Sequence, residues 1–259
     1  MEKPKQPYKR YKGISGNESF LLNLVSENAL VVFGVEELRR LSGWKKTRLH
    51  NTLFSLKQKK IIVKIKRDTY AQGKDLTEKL FEVSTAAVIP SYISFWTALS
   101  FYEFTEQQIK PVQVVSTKQH PELKFNSHTV EVTAFRPEKF YGYLRVNGFV
   151  IAEKEKALVD SLHMPEKCGG FSEFVSCLKN AGGGINLKKF RDYLIRFNNK
   201  SMISRAGYLL EELELNPGNL QKYRAENYVK LNPVKVQAGD YNRKWNIIIN
   251  QKIEIKEIR

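Results

Sequence analysis

The sequence predicts an α+β protein of two domains, and three observations favour this class. Apolar residues recur at helical spacing near the amino terminus and again from residue 153 onward. Between these stretches lie short runs in which β-branched residues alternate with others, as in strands. The chain has 259 residues, of which 42% are hydrophobic, so it can bury a sizeable core and is long enough for two domains.

The chain is strongly basic, with 43 Lys and Arg residues against 27 Asp and Glu residues and a formal net charge of +16. A positive field of this size attracts polyanions such as nucleic acids. A lysine-rich surface that serves only solubility would give the same total. The excess is concentrated, however, because residues 1–71 hold 16 basic and 6 acidic side chains. This distribution favours nucleic-acid binding by the first part of the chain.

Two helices are expected at the start of the first domain. The first spans about residues 17–28, with Asn17 as the N-cap, because its side chain can accept a hydrogen bond from the first turn. The second runs from Val35 to Leu41, with apolar residues at every third position. Each helix has one apolar face, so we expect the two to share a core.

A third helix is expected over residues 45–58, after a turn that contains Gly43. Leu49, Leu53 and Leu56 fall on one side of this helix and should face the core. A helix, a short turn with glycine and another helix form the arrangement in which the later helix enters the DNA major groove. The third helix is therefore the predicted recognition helix.

The outward side of this recognition helix carries residue types that read base pairs. Asn can bond bidentately to adenine and Arg to guanine, while lysines at a helix start can meet phosphates. The predicted DNA contacts from this helix are Lys45, Lys46, Thr47, Arg48, Asn51 and Ser55. Phe54 also points outward in this arrangement, and the pattern gives it no role.

A basic hairpin is predicted directly after the third helix. Its first strand alternates with the period of a half-buried strand, with Ile61, Val63 and Ile65 on one side. The hairpin residues predicted to contact the DNA backbone or minor groove are Lys64, Lys66 and Arg67. Three helices followed by such a hairpin make a winged helix-turn-helix, although similar modules also bind proteins.

The winged helix-turn-helix domain is predicted to occupy residues 17–75, after a basic flexible tail of residues 1–16. Gly73 and the charges beside it make residues 72–75 the best candidate for a linker. Residues 76–259 are expected to form a larger mixed α/β domain at the carboxy terminus.

This second domain should begin with mixed elements and continue as mainly helix from residue 153 onward. The predicted elements are helices over residues 76–87 and 93–104, and strands over residues 111–117, 129–135 and 145–151. The predicted breaks in the later helical part are residues 182–184 and 216–218.

The second domain contains several short motifs. Each is weak by itself, but their order and spacing together are moderately specific for one protein family. They are Ser91-Tyr92-Ile93-Ser94, Ala98-Leu99, Thr105-Glu106-Gln107, the strand Val112–Thr117, and the run Ile151-Ala152-Glu153-Lys154-Glu155-Lys156-Ala157-Leu158-Val159-Asp160. With these motifs after a winged helix, the chain resembles the antitoxin and transcriptional-regulator component of AbiE-type abortive-infection systems. The resemblance spans most of the chain.

This resemblance implies a type IV antitoxin of a phage-defence system that also represses its own operon. In that family the winged helix binds operator repeats, and the carboxy-terminal part is associated with neutralising a nucleotidyltransferase-like toxin. The implied partners are therefore double-stranded operator DNA and a cognate toxin, opposed directly or only functionally. Because one winged helix makes few base contacts, two copies on an inverted repeat are expected. The alternative is a protein-interaction or toxin-neutralising module with only non-specific DNA binding.

No enzyme activity, cofactor or metal site is predicted. The nearest enzyme alternative is a metal-dependent nuclease, because Glu153 and Glu155 lie in a motif of alternating Glu and Lys. Such a site needs an acidic partner on an adjoining strand, and Glu131 is the sole strand candidate. The plainer interpretation is an amphipathic helix whose apolar side faces the core, with Lys156 and Asp160 away from it.

The remaining sequence features point to a cytoplasmic protein. Cys168 and Cys177 are too few for a disulfide framework and are expected to be reduced. With His163 they lack the paired short spacing of a metal site. No run approaches the ~18 to 20 apolar residues of a membrane span, and the amino terminus has no apolar signal segment. No membrane partner is expected.

Overall fold

The computed structural model describes residues 13–74, 76–107, 109–236 and 238–253 of an α+β protein. The chain forms two compact units. Within the described residues, the first unit holds residues 13–89 and 121–130, and the second unit holds the rest. Most of the predicted basic tail and residue 75 lie outside the described residues. In this division the predicted boundary near residue 75 falls inside the first unit.

The first unit begins with three helices and three short strands. In chain order its elements are α1 (Gly16–Glu27), β1 (Val32–Gly34), α2 (Val35–Ser42), α3 (Lys46–Gln58), β2 (Ile62–Lys66), β3 (Thr69–Gln72) and α4 (Leu80–Ala87). The three strands form an antiparallel sheet in the order β1-β3-β2. The three predicted helices and the hairpin after them are confirmed.

The start of α1 differs from the prediction. Ser15 is the N-cap, and its hydroxyl accepts a hydrogen bond from the Glu18 amide at 3.3 Å. The Glu18 carboxylate in turn accepts a hydrogen bond from the Ser15 amide at 2.6 Å. This reciprocal capping box satisfies two otherwise unpaired amides, which a cap at Asn17 would not do. The prediction of Asn17 as the N-cap is therefore wrong.

The core of the first unit is formed by the apolar faces of α1, α2 and α3 with residues of the sheet. Its buried members are Leu21, Leu22, Val25, Phe33, Val35, Leu38, Leu49, Leu53, Leu56, Ile62 and Tyr70. The predicted leucine face of α3 is confirmed.

In β2 the buried residues are Ile62 and Ile65, whereas Ile61 and Val63 are only partly buried. A β-bulge between Lys64 and the end of the strand breaks the regular alternation, so the predicted inward set is wrong in part.

The second unit combines one larger sheet, a helical part and a small sheet near the carboxy terminus. The elements after α4 are β4 (Ser91–Ile93), α5 (Phe95–Phe101), β5 (Pro111–Ser116), β6 (Leu123–Phe125), β7 (His128–Ala134), β8 (Tyr143–Val146), β9 (Phe149–Ala152), α6 (Lys154–His163), α7 (Phe171–Ala181), α8 (Leu187–Phe197), α9 (Lys200–Glu212), β10 (Val229–Lys230), β11 (Asp240–Asn242) and β12 (Ile247–Ile249). Of these, β6 and the beginning of β7 belong to the first unit.

In the second unit the larger sheet has the order β7-β5-β4-β9-β8, with β4 antiparallel to β5 and parallel to β9. The strands predicted over residues 111–117 and 129–135 are confirmed as β5 and β7. The strand predicted over residues 145–151 is instead the hairpin β8–β9. Its turn is Asn147-Gly148, both at positive φ, as a two-residue hairpin requires.

The other predicted elements of this part are partly confirmed. The helix predicted over residues 93–104 is a strand, β4, followed by the shorter helix α5. The helix predicted over residues 76–87 begins only at Leu80. Both predicted breaks are confirmed, because residues 182–184 separate α7 from α8 and residues 216–218 follow α9.

The small sheet has the order β10-β12-β11 and lies after α9, in the part of the chain for which the sequence predicted mainly helix, so that prediction is wrong there. Trp245 is buried and lies against α9 at Gly207, where an added Cβ would be 2.1 Å from the indole ring. The absence of a side chain at Gly207 therefore lets the indole pack closely on the helix. Among the described residues, every helix falls short of the length and apolar character needed to cross a lipid bilayer.

Candidate nucleic-acid interface

The orientation of α3 follows from its leucines. Gly43 ends α2 in the left-handed conformation, at φ 69°, and the chain enters α3 after Lys45. Leu49, Leu53 and Leu56 are buried, so the opposite side of α3 faces away from the core. The structure thus exposes the side of α3 that the sequence predicts to read DNA.

Four side chains form the outward face of α3. These are Thr47, Asn51, Phe54 and Gln58, all of which are exposed. At 3.6 residues per turn they fall within roughly 60° of one another around the helix axis. We call this set the α3 face. Its polar members have no hydrogen bond to another described side chain that would fix them within the unit.

Arg48 lies beside the α3 face, and other residues of the unit hold its guanidinium in place. The guanidinium carbon lies 3.7 Å from the centre of the Trp44 ring, and Nη2 donates a hydrogen bond to Asn17 Oδ1 at 2.5 Å. Trp44 itself stacks on Phe20 with 5.0 Å between ring centroids. Arg48 thus lies on the flank of the outward side, and these contacts restrict the side chain before any ligand binds.

Ser55 is not part of the outward face. Its hydroxyl donates a hydrogen bond to Glu18 Oε1 at 2.7 Å, and Lys59 Nζ donates to Glu18 Oε2 at 2.7 Å. The predicted outward orientation of Ser55 is therefore wrong, because a carboxylate of α1 binds its hydroxyl. The partner is 37 residues away in the chain, which no helical periodicity can reveal.

Glu18 links α1 to α3 from a position that is only 1% exposed. Burial by itself would raise its pKa, but hydrogen bonds from Lys59 and from the Ser15 amide outweigh burial and lower the pKa to about 2. The carboxylate is therefore ionised at neutral pH. It fixes one flank of α3 against α1.

The three predicted hairpin residues differ in their surroundings. Lys64 is exposed, and the Arg67 side chain is 95% exposed, with Nε 3.9 Å from Asp68. Lys66 Nζ instead donates a hydrogen bond at 2.7 Å to the carbonyl oxygen of Ala87, the last residue of α4. The carboxyl end of a helix attracts cations in this way, so the ammonium of Lys66 already has a structural role.

At the start of α3, Lys45 and Lys46 are exposed as predicted. Lys46 lies 3.8 Å from Glu36 at an exposed position, where such an ion pair is weak. Near the end of α3, Lys57 and Lys60 are also exposed, and neither is among the DNA contacts predicted from the sequence. The flanks of the α3 face therefore carry more positive charge than was predicted.

A second cluster of polar residues is buried in the second unit. Lys156 and Asp160 of α6 are both 0% exposed and form an ion pair. Lys156 Nζ donates to the Tyr92 hydroxyl at 3.1 Å, and Asp160 Oδ2 accepts from Tyr92 at 3.0 Å and from Ser94 at 2.7 Å. This cluster joins the two sequence motifs that start at Ser91 and Ile151.

The sequence placed Lys156 and Asp160 away from the core, and that expectation is wrong. Burial lowers the pKa of Lys156 and raises the pKa of Asp160. The rings with centroids between 4.8 and 5.5 Å from Lys156 Nζ are those of Tyr141, Phe135, Phe197 and Tyr92. The ion pair is thus enclosed by aromatic rings and acts within the core.

The carboxylates of the nuclease alternative each have their own partners. Glu131 is paired with Lys167, and Glu153 accepts hydrogen bonds from Lys189 and Tyr193. Glu155 accepts from a backbone amide at 2.8 Å. Across the described part of the chain, no three His, Cys, Asp or Glu side chains are grouped so that they could hold a metal ion.

Cys168 and Cys177 are buried free thiols, and burial raises the pKa of both, that of Cys177 to about 12. Burial also lowers the pKa of His163, to about 4. Its ring packs edge-on against Phe197 with 4.8 Å between centroids. The two cysteines are therefore parts of the core, and His163 is half-buried.

No family model and no curated protein sequence matches the chain. A crystal structure of the RV2827C protein from Mycobacterium tuberculosis is similar, with a TM-score of 0.64 over 93% of this chain and 94% of that chain. The two sequences are 14% identical, so the likeness is one of fold alone. The α+β fold described here is therefore one that a solved protein of another sequence also adopts.

Proposed function

We propose that the chain is a DNA-binding transcriptional regulator whose first unit acts as a winged helix. In this proposal α3 enters the major groove and the β2–β3 hairpin follows the DNA backbone. The α3 face carries the proposal, because it follows a helix and a short turn, is exposed, and has polar members free to bond with base edges. Exposed basic side chains on its flanks would attract the phosphates.

The proposed contacts differ from those expected from the sequence. Asn51 and Thr47 would read bases, and Arg48, held on Trp44, keeps donors beyond the one that binds Asn17. The residues proposed to meet phosphates are Lys45, Lys46, Lys64 and Arg67. Ser55 and Lys66 are left out, because their polar atoms bond within the unit.

Repression of its own operon and an antitoxin role are the regulatory part of the proposal. The resemblance to the AbiE-type family suggests them, and two of the motifs that carry it lie together in the second unit around Asp160. The antitoxin role predicts that co-expression of the full chain relieves growth arrest by a nucleotidyltransferase-like toxin. Continued arrest with every such toxin tried would remove this part and leave DNA binding untouched.

Asn51→Ala is expected to weaken binding to the preferred duplex by about 5- to 150-fold, because a bidentate bond to a base contributes about 1–3 kcal/mol. The preferred duplex is first selected from random DNA with the full 259-residue chain. Affinities are then measured by gel-shift titration with excess unrelated duplex at two salt concentrations. Binding to unrelated duplex should change little.

Asn219→Ala is the matched control, because Asn219 is an exposed asparagine of the second unit. This variant should bind the selected duplex like the unchanged protein. If unrelated duplex competes as well as the selected one, sequence-specific binding and the proposed function fail together. If Asn51→Ala binds normally, α3 is not the reader.

Lys64→Ala is expected to weaken binding to all duplexes alike, because it removes one phosphate contact. The plot of log K against log salt should also become less steep, by about 1 in slope. Lys66→Ala is the control within the same strand. Its ammonium is bonded to Ala87, so the salt slope should stay closer to that of the unchanged protein. Equal slopes for the two variants would contradict the proposed position of the hairpin.

A further inference from the structure

We propose that Phe54 is a base-reading residue that contacts the methyl group of thymine in the major groove. This inference rests on the proposed DNA binding through α3. It adds an apolar contact to the polar ones and assigns a preference for one base at one position.

Phe54 lies on the exposed side of α3. Its side chain is 61% exposed at the middle of the α3 face, whereas the adjacent Leu53 is buried. Phe54 is not among the residues that form or pack against the core of the first unit. In the described ranges no aromatic stacking or cation–π contact involves it. The fold therefore does not explain why a large apolar ring stands there.

The chemistry of the groove supplies an explanation. Each base pair shows hydrogen-bond donors and acceptors in the major groove, but thymine alone adds an apolar methyl group. A phenyl ring covers such a methyl well and makes no bond to the polar edges of the other bases. Phe54 would therefore favour thymine over cytosine at the position that it reaches.

The spacing on the helix fits this role. Asn51 and Phe54 are three residues apart, so their Cβ atoms are about 5–6 Å from each other on the same face. Successive base pairs are stacked ~3.4 Å apart along the DNA axis. The two side chains can thus reach the same or neighbouring base pairs. A selected site should then place an adenine for Asn51 next to a thymine for Phe54.

The surroundings favour DNA over a protein as the occupant of this face. Thr47, Asn51 and Gln58 around Phe54 are polar, and Lys57 on the flank is exposed and cationic. A lone ring within polar groups makes a small apolar area, unlike the larger patches that mark protein contacts. The positive flank is complementary to a polyanion.

The test replaces each thymine of the selected duplex, one at a time, by deoxyuridine, which lacks only the methyl group. With the unchanged protein we expect about a fourfold loss of affinity at one or two positions. A loss of this size is expected when one buried methyl or methylene group is removed from a contact. With Phe54→Ala the same replacements should have no effect. Phe54→Leu, which keeps an apolar side chain, should retain part of the discrimination.

Ile89→Ala is the matched control, because Ile89 is an apolar residue of the same unit that is 72% exposed and lies outside α3. This variant should lose as much affinity as the unchanged protein when thymine is replaced by deoxyuridine. Specific binding with no uracil-sensitive position, or with a sensitivity that survives Phe54→Ala, would overturn this inference and leave the proposed function standing. A selection that yields no preferred duplex would overturn both.

Discussion

Lys156→Met is expected to lower the free energy of unfolding by roughly 3–5 kcal/mol, the cost of removing one partner of a buried ion pair. Asp160 is 0% exposed and would lose the cation that faces it. Methionine has a similar length, so packing against the surrounding rings is largely kept and the loss is mainly electrostatic. Urea unfolding followed by circular dichroism measures this change in the free energy of unfolding.

The pH dependence of this loss separates charge from packing. In Lys156→Met the carboxyl of Asp160 should be buried in its protonated form, because burial raises its pKa and the ammonium of Lys156, which lowers that pKa, is gone. A raised folded pKa gives a contribution that is present at low pH and lost as pH rises, so the deficit should grow between about pH 4 and 7. A deficit of the same size at both pH values would indicate lost packing only.

Two further variants control this experiment. Lys156→Met combined with Asp160→Asn leaves no unpaired charge and should recover much of the stability, since Asn can still bond with Tyr92 and Ser94. Lys200→Met removes the exposed ion pair with Glu226 and should change stability by less than about 0.5 kcal/mol. If Lys156→Met were as stable as Lys200→Met, the buried pair would have no structural role.

Glu18→Gln is expected to remove an acid-sensitive contribution to the stability of the first unit. The pKa of Glu18 falls from 4.5 to about 2 on folding, so its ionised form stabilises the fold above pH 4.5. This contribution is lost as pH falls from 4.5 toward 2, and a shift of that size corresponds to roughly 3 kcal/mol. The variant should therefore be less stable at pH 7 and vary less with pH.

Hydrogen exchange of the α1 and α3 amides, corrected for intrinsic exchange rates, measures this effect within the first unit. Glu36→Gln is the control, because Glu36 is an exposed carboxylate of α2 that pairs with Arg39. It should follow the unchanged protein at every pH. Parallel pH profiles for Glu18→Gln and Glu36→Gln would show that the carboxylate does not stabilise the contact between α1 and α3.

The helices of the first unit could be predicted because their signals are local. Leu49, Leu53 and Leu56 recur at the helical period, and burial of that one face is enough to orient α3. The start of α3 is marked by the turn that contains Gly43, and its end is marked by the alternating residues that follow the helix. The same reasoning placed Asn51 and Phe54 on the exposed side, where the structure has them.

Side chains whose partners are distant in the chain could not be placed in this way. Ser55 lies at the edge of the outward side by periodicity alone, and the position of Glu18 decides that it turns inward. Lys66 is one of several lysines in a basic hairpin until α4 brings the Ala87 carbonyl within reach. Polar contacts of this kind depend on tertiary structure, which a single element does not encode.

The buried pair of α6 shows the same limit. Lys and Asp four residues apart on a helix are usually a solvated surface pair, and nothing local distinguishes Lys156 and Asp160 from one. Their burial depends on aromatic rings from several separate segments of the chain. By contrast, the turn at Asn147-Gly148 had a local signal in the sequence and could have been found.

The first unit is made of two stretches of chain, residues 13–89 and 121–130, with 90–120 belonging to the second. During synthesis the first unit therefore stays incomplete until residue 130 has left the ribosome. At about 5–20 residues per second, the intervening segment adds a delay on the order of seconds. A single cut in the gene likewise cannot separate the two units, because any cut that keeps residues 121–130 with the first unit also keeps residues 90–120.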